Sequence, residues 1–344
     1  MSPATSGLHH VTAIAGDPQR NADFYVGTLG LRFVKKTVNH DDTGTYHFYF
    51  GDEEGTPGTT ITFFPWTDRG RRGEFGAGQT QATAYLIPED SVDYWTDRLE
   101  SHDVAVERTE RFESGERSAS ESASATERRS ADTQGAKPRT ETVLQFDDPD
   151  GIGLELVATD AETEAVPWED SPVPEEHQLR GLYSVTLAVE SVDPTGGLLT
   201  DVLGYEHEVT EDGRHRYRST TGEFGSVVDV VETDESVGRM GVGTVHHVAF
   251  RVEDVAELEA YREAYEERGL EPSEIIDRTY FTALYCREPN GVLVELSTVG
   301  PGFTADEPRS ELGESLTLPE WLEDEREEIE ARLPPFDGAN VPAE

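Results

Sequence analysis

Two distant stretches of this chain repeat one another. One reads Gly7-Leu8-His9-His10-Val11-Thr12, the other Thr244-Val245-His246-His247-Val248-Ala249. With His10 set on His247, Asp17 falls on Asp254, and each aspartate opens a segment of helical periodicity. From Pro18 to Leu29 the apolar positions are Phe24, Tyr25 and Leu29; from Asp254 to Leu270 they are Val255, Leu258, Tyr261 and Tyr265. Extended segments follow both helices. After the first come Arg32 to Val38, Thr45 to Phe50 and Thr59 to Phe64; after the other, Ser273 to Phe281, Thr282 to Arg287 and Gly291 to Thr298. Glu288-Pro289-Asn290-Gly291 is a strong hairpin signal between the last two. A chain built this way must pack copies of one unit, strand–helix–strand–strand–strand.

Two more copies lie between. One starts at Thr83 to Ile87, has a helix from Ser91 to Glu100 and ends in Gly151-Ile152-Gly153-Leu154-Glu155-Leu156. The next starts at Leu182 to Leu187 and ends near Gly225 to Val231. The same alignment sets Thr83 and Ser184 in the places of His10 and His247. Four βαβββ modules make an α+β fold, halved by a Pro- and Glu-rich linker at about 159–178. The expected divisions are 1–160, 179–303 and a helical tail, 304–344. In that tail, Leu318 to Leu333 reads as a capped helix that packs through Trp321, Leu322, Ile329 and Leu333. The stretch from Glu110 to Glu141 is rich in Ser, Glu, Arg and Thr and nearly free of apolar residues. It reads as a flexible surface insertion, because such composition buries too little surface to offset ordering entropy.

A lone histidine doublet most often marks half-buried structural imidazoles. Here two doublets occupy equivalent repeat positions, and a carboxylate, Glu295, is embedded in the apolar strand Gly291-Val292-Leu293-Val294-Glu295-Leu296. An unpaired carboxylate between Val294 and Leu296 is costly to bury, and a metal supplies its partner. Two imidazoles and one carboxylate on one face of an octahedral metal leave the other positions open, as in non-haem Fe(II) oxygenases.

Charge narrows the remaining functions. Against 71 Asp and Glu stand 28 Lys and Arg, a formal charge of −43 spread along the 344 residues. Only Lys35, Lys36 and Lys137 are lysines. This is the surface expected of a protein from a high-salt cytoplasm, where screening weakens self-repulsion. It excludes nucleic-acid binding, which needs a basic face. Cys286 is the sole cysteine, expected to be a packed thiol, so neither an internal disulfide nor a cysteine metal cluster forms. No signal-peptide pattern opens the chain, and no stretch approaches the ~20 apolar residues that span a bilayer, so a cytoplasmic location without membrane contact is expected.

The repeat and its histidines resemble the vicinal oxygen chelate superfamily, which includes glyoxalase I, bleomycin-resistance proteins and extradiol dioxygenases. Within it, the resemblance is to ring-cleaving dioxygenases of hydroquinones. It covers nearly the whole length. Besides the doublets and the glutamate strand it rests on Phe33-Val34-Lys35-Lys36-Thr37-Val38-Asn39, Thr45-Tyr46-His47-Phe48-Tyr49-Phe50-Gly51-Asp52, Ile61-Thr62-Phe63-Phe64-Pro65, Gly300-Pro301-Gly302-Phe303 and the C-terminal helix. The long insertion and the heavy acidity depart from the pattern without touching a motif.

The resemblance implies that modules pair into two cup-shaped, partly open barrels of mixed β-sheet, with ligands on first and last strands. Pairing modules 1 with 2 and 3 with 4 leaves each cup incomplete. Pairing 1 with 4 brings His10, His247 and Glu295 together, while the other cup keeps Glu155 beside Thr83 and Ser184; one metal centre per chain follows. The family places the ligand second in each doublet, which selects His10 and His247. His9 and His246 then sit in neighbouring positions, with a less direct catalytic role because strand side chains alternate. Residues matching Arg278 and Tyr285 line the family's substrate site. There Tyr285 can move a proton to or from a ring hydroxyl and Arg278 can stabilise an anionic substrate or intermediate. Thr12, two residues past a ligand, borders the metal. His47 occupies a family-like position without a derivable role.

The implied activity is Fe(II)-dependent cleavage of a dihydroxylated aromatic ring, hydroquinone- or catechol-like, with both atoms of O2 entering the product. Mn(II) suits the same ligands, no organic cofactor is needed, and a homodimer suits the family. Two alternatives share the fold. A glyoxalase-type isomerase usually has four protein ligands, against three here, and a thiol transferase of the antibiotic-resistance type usually has two modules, against four.

Overall fold

The computed structural model describes residues 4–67, 70–112, 140–221 and 224–339. The insertion expected at 110–141 lies mostly outside them. Module 1 consists of β1 (Leu8–Ala15), α1 (Pro18–Ala22) running into a π-helical turn (Asp23–Thr28), β2 (Arg32–Asn39), β3 (Asp42–Gly51) and β4 (Thr60–Pro65). Module 2 has β5 (Gln79–Ile87), α2 (Val92–Ser101), β6 (Glu107–Arg111), β7 (Glu141–Asp147) and β8 (Gly153–Ala158). Module 3 has β9 (Leu182–Val189), α3 (Val192–Asp201), β10 (Tyr205–Glu211), β11 (Arg214–Ser219) and β12 (Val227–Glu232). Module 4 has β13 (Thr244–Val252), α4 (Val255–Glu267), β14 (Ile276–Asp277), β15 (Thr282–Arg287) and β16 (Leu293–Thr298), and α5 (Arg326–Glu330) lies in the tail.

The strands form two eight-stranded mixed sheets. One runs β14-β15-β16-β13-β1-β4-β3-β2 and joins modules 4 and 1; the other runs β10-β11-β12-β9-β5-β8-β7-β6 and joins modules 3 and 2. In each, the two first strands pair antiparallel at the centre and each module's last strand runs parallel to its first. The helices start where the repeat predicts them. Asp17 accepts from Arg20 N with Pro18 in the first turn, and Asp254 accepts from Glu257 N. Leu258, Tyr261 and Tyr265 form the buried stripe of α4, while Val255 sits exposed at its first turn.

Three expectations for irregular segments change. Ser273 to Phe281 is not a strand beyond Ile276–Asp277. Asp277 instead accepts from Thr279 N and Arg278 N donates to Phe281 O, a tight turn in which Thr279 takes φ +75°. The tail is a 3-10 turn (Glu320–Glu325) leading into α5 rather than one long helix. Leu322 and Ile329 are buried there, but Trp321 is 60% exposed, its ring edge against His40. The residues of the linker pack onto module 1: Val173 is buried, Val166 N donates to Asp52 Oδ2 and Ser171 Oγ to Gly30 O. Among the described residues no helix is long and apolar enough to cross a membrane.

The hairpin turn of module 4 has a twin in module 2, Asp148-Pro149-Asp150-Gly151. Gly291 N donates to Glu288 O and Gly151 N to Asp148 O, with both glycines at positive φ, where a side chain would be strained. Burial raises the Asp148 carboxyl to about 6, although it accepts from Asp150 N and Ile152 N. Between its unfolded value near 3.8 and about 6 the folded state keeps a proton that the unfolded state releases. Stability is therefore expected to fall as pH rises through that window, by up to about 3 kcal/mol, and to level off above it. Asp148→Asn should remove this component in urea unfolding at pH 4 and pH 7; an unchanged pH profile would refute it.

The register relates the two sheets residue by residue. Across the centre, His10 pairs with Ala249 and Thr12 with His247; in the other sheet Ala82 pairs with Thr186 and Ala84 with Ser184. The place of His10 is thus filled by Ala82, one residue before the expected Thr83, and that of His247 by Ser184. Glu295 lies across from Ala249, and its counterparts are Thr62 (across from Thr12), Glu155 (from Ala84) and Asp229 (from Thr186). The second cup therefore holds two carboxylates and no imidazole at these positions. Arginines neutralise them. Arg111 binds both oxygens of Glu155, Arg216 binds both of Asp229 at 2.8 and 2.9 Å, and Arg214 reaches Asp229 at 3.0 Å.

Candidate metal centre

In the first cup the three donor side chains converge. His10 Nε2 and His247 Nε2 are 3.3 Å apart, and Glu295 Oε2 lies 2.7 Å from His247 Nε2 and 3.5 Å from His10 Nε2. Bonds of about 2.1 Å at right angles place adjacent donors of one metal about 3 Å apart. All three residues are buried, and among the described residues they are the one such cluster of His, Cys, Asp and Glu. Glu295 Oε1 accepts from Ser297 Oγ at 2.7 Å, whereas Oε2 has no hydrogen-bond partner despite its closeness to His247. Burial alone would raise this carboxyl, but the facing imidazoles outweigh it and hold it well below the usual range. Burial also lowers His247. A divalent cation at the converging donors would take over from the imidazoles as the counter-charge of this buried anion. The donor set fits a facial triad.

The doublets do not obey simple strand alternation, because each contains a β-bulge. Between β1 and β13 the pairing steps from Leu8 to His10 on one strand, and from His247 to Val245 on the other, skipping His9 and His246. An extra residue of this kind is re-aimed by the bulge. Each skipped histidine comes beside its neighbour: His9 Nδ1 is 2.9 Å from His10 Nδ1, and His246 Nδ1 is 2.8 Å from His247 Nδ1. With each Nε2 turned to the metal position, His10 and His247 carry their protons on Nδ1 and donate them to these partners. Burial, with the neighbouring imidazole second, lowers both His9 and His246 to about 3, so they accept as neutral rings. His9 Nε2 then donates to Thr298 O at 3.2 Å.

A cavity of about 190 Å³ opens beside the triad, lined by His47, Tyr49, Phe64, Arg278, Phe281, Tyr285 and the β2–β3 turn Asn39 to Asp41. Arg278 Nε donates to Tyr285 OH at 3.2 Å, and Arg278 also lies 3.5 Å from exposed Asp41. Burial and the Glu295 charge raise the Tyr285 phenol, which stays protonated. Phe281 packs 5.2 Å from the rings of both His9 and His10. Thr12 lies one hydrogen bond further out, 2.7 Å from Thr62 Oγ1, which in turn meets His47 Nε2 at 3.0 Å. Cys286 is a packed thiol, pushed up to about 11 by burial. A larger cleft of about 560 Å³ lies by β5, β7 and β8, with neither imidazole nor thiol on its walls.

The sequence reading gives no role to four positions on these walls: His47, Tyr49, Phe64 and Phe281. A signal for two of them exists. His47 and Tyr49 alternate along β3, and Tyr49 sits across β4 from Thr62 as Tyr285 sits across β16 from Glu295.

The sequence profile of the Glyoxalase/Bleomycin resistance protein/Dioxygenase superfamily matches residues 7–156 and 175–296. The chain belongs to this superfamily. Among its relatives is MhqO of Bacillus subtilis strain 168, named as a ring-cleaving dioxygenase, 40% identical over 98% of both chains. Another is the chlorohydroquinone/hydroquinone 1,2-dioxygenase of Sphingobium indicum, 34% identical over 94% of each. A crystal structure of a protein from B. subtilis described as a dioxygenase superposes with a TM-score of 0.87 at 39% identity, covering 99% of this chain and all of that one. Relatives of this superfamily member are thus named as dioxygenases that cleave rings, over the full extent of the chain.

Proposed function

We propose that the protein is an Fe(II)-dependent dioxygenase that opens the ring of a hydroquinone and inserts both atoms of O2. The observation that carries this reading is the facial His10–His247–Glu295 triad facing a cavity of about 190 Å³. An apolar cavity of ~150 Å³ takes one benzene ring, so the cup is sized for a single substituted ring. The Sphingobium relative, named for hydroquinones, supports the substrate class.

A redox-active divalent metal held by the triad would supply open positions for oxygen ligands and a path for electrons between ring and O2; Mn(II) suits the same donors. The chain's own groups do the rest. His9 and His246 fix the tautomer and orientation of the ligand imidazoles. Tyr285 keeps its proton and is held by Arg278, so it is placed to donate to a phenolic oxygen. Arg278 favours the anionic form of the ring and of a carboxylate-bearing product. Phe64 and Phe281 exclude water from the side of the imidazoles.

The test is anaerobic loading with Fe(II), then oxygen uptake with hydroquinone, methylhydroquinone and catechol. One O2 consumed per hydroquinone, with a ring-opened chromophore, is the expected result. Tight metal binding without uptake on any diol would favour a metal-dependent isomerase or transferase instead.

A further inference from the structure

The cup has two tyrosines in equivalent places, and the reading above uses only one. Tyr285 pairs across β16 with Glu295, a ligand position; Tyr49 pairs across β4 with Thr62, the matching position that carries no ligand. Both tyrosines line the cavity, and both hydroxyls are held from behind. Arg278 holds Tyr285. His47 holds Tyr49: its Nδ1 is 2.9 Å from the phenol oxygen and its Nε2 is 3.0 Å from Thr62 Oγ1, which leads on to Thr12. Phe303 and Tyr280 pack against the Tyr49 ring at 5.0 and 6.3 Å, and it is 3% exposed, so this wall is rigid.

We infer that Tyr49, positioned by His47, binds the second oxygen of the aromatic substrate, the one that the metal does not hold. This rests on the ring-cleaving reading above. The two hydroxyls of an ortho-diol can both reach one metal. A para-diol puts its second hydroxyl across the ring, where it needs a partner on the wall away from the ligand glutamate. Tyr49 is the buried, side-chain-anchored hydroxyl on that wall, while in the turn Asn39 to Asp41 the first two residues are half-buried and Asp41 is exposed. The run Thr12–Thr62–His47–Tyr49 can be polarised in either direction. In both, it uses one of the two bonding roles of the Tyr49 hydroxyl and leaves the other for the cavity. A phenolic O–H is both donor and acceptor and matches whichever role is left. Tyr49 is thus a binding residue for the distal oxygen, and His47 a positioning residue acting through it.

The experiment compares hydroquinone with phenol, which lacks the distal oxygen, by calorimetric binding to the Fe(II)-loaded protein without oxygen. Wild type should bind hydroquinone about 3- to 10-fold more tightly than phenol, the worth of one neutral hydrogen bond. Tyr49→Phe should abolish that preference and leave phenol affinity unchanged. His47→Gln, which can still bond both Tyr49 and Thr62, should keep the preference, and His47→Leu should lose it. An unchanged preference in Tyr49→Phe, or equal weakening of both ligands, overturns the assignment while leaving ring cleavage intact. Failure of the wild type to bind either phenol overturns both readings together.

Discussion

Glu295→Gln should lower the affinity for Fe(II) by more than about 100-fold, beyond the 10- to 100-fold that loss of an outer partner of a metal ligand costs. The amide has the same size and can still accept from Ser297 Oγ, so packing around β16 is preserved. What disappears is the negative charge, and with it the reason for a divalent cation to leave water for a wholly buried site. The difference appears on adding metal. At a free concentration 100 times Kd, Fe(II) should stabilise the wild type by about 2.7 kcal/mol and the variant by almost nothing. Equilibrium dialysis with metal analysis, and urea unfolding with and without Fe(II) under nitrogen, check both arms. Oxygen uptake should fall to background. Wild-type metal affinity in the variant would place the carboxylate outside the coordination sphere and end the facial-triad reading.

The architecture is legible in the repeat. Aligning the doublets shows four modules, and counting ligands per cup pairs module 1 with module 4, as the sheet order has it. The limits were local and had physical causes. Strand alternation sets His9 and His246 facing away from His10 and His247, and bulges bring each beside its neighbour. A bulge inserts one residue without changing composition, so no hydrophobic period reveals it. The same bulge on β5, at Gln81, marks Ala82 rather than Thr83 as the counterpart of His10. Ser273 to Phe281 has the β-branched content of a strand. Its conformation is set instead by the local Asp277 turn and by Gly302 N, from beyond β16, donating to Tyr280 O. Trp321, one of the four residues expected to pack the tail, lies outside, since Leu322 and Ile329 already fill the contact with Val38. The roles proposed for His47 and Tyr49 are visible only through register, when β4 brings Thr62 between them and Thr12.

The second cup fills the place of the proposed metal centre with ion pairs, and its energetics can be tested apart from activity. Glu155 and Asp229 occupy the register position of Glu295, so the fold buries carboxylates at this place in both sheets. In the first cup a metal held with two imidazoles would be the counter-charge; in the second it is guanidinium. Arg216 is wholly buried, grips Asp229 with two hydrogen bonds, also binds Glu141, and stacks 4.1 Å from the centre of the Phe112 ring. Burial pushes the Asp229 carboxyl up, but the hydrogen bonds and charge of Arg216 outweigh it and hold it below its ordinary value. Arg216→Met should destabilise the protein by about 3–5 kcal/mol, because it strands buried anions rather than merely deleting a contact. The loss has a signature that a simple packing defect lacks. Without the Arg216 guanidinium, burial weighs more heavily on Asp229, which takes up a proton more readily than in wild type. The folded variant therefore regains stability as pH falls, and the deficit against wild type should be clearly smaller at pH 5 than at pH 8. Arg216→Lys keeps a charge but loses the two-pronged grip, so its deficit should be intermediate and less dependent on pH. Urea midpoints of the three proteins at both pH values decide the matter; a deficit for Arg216→Met independent of pH would mean that shape, not charge, holds the second cup. Metal content should stay at one equivalent per folded chain in every variant, because the guanidiniums and the triad lie in separate sheets.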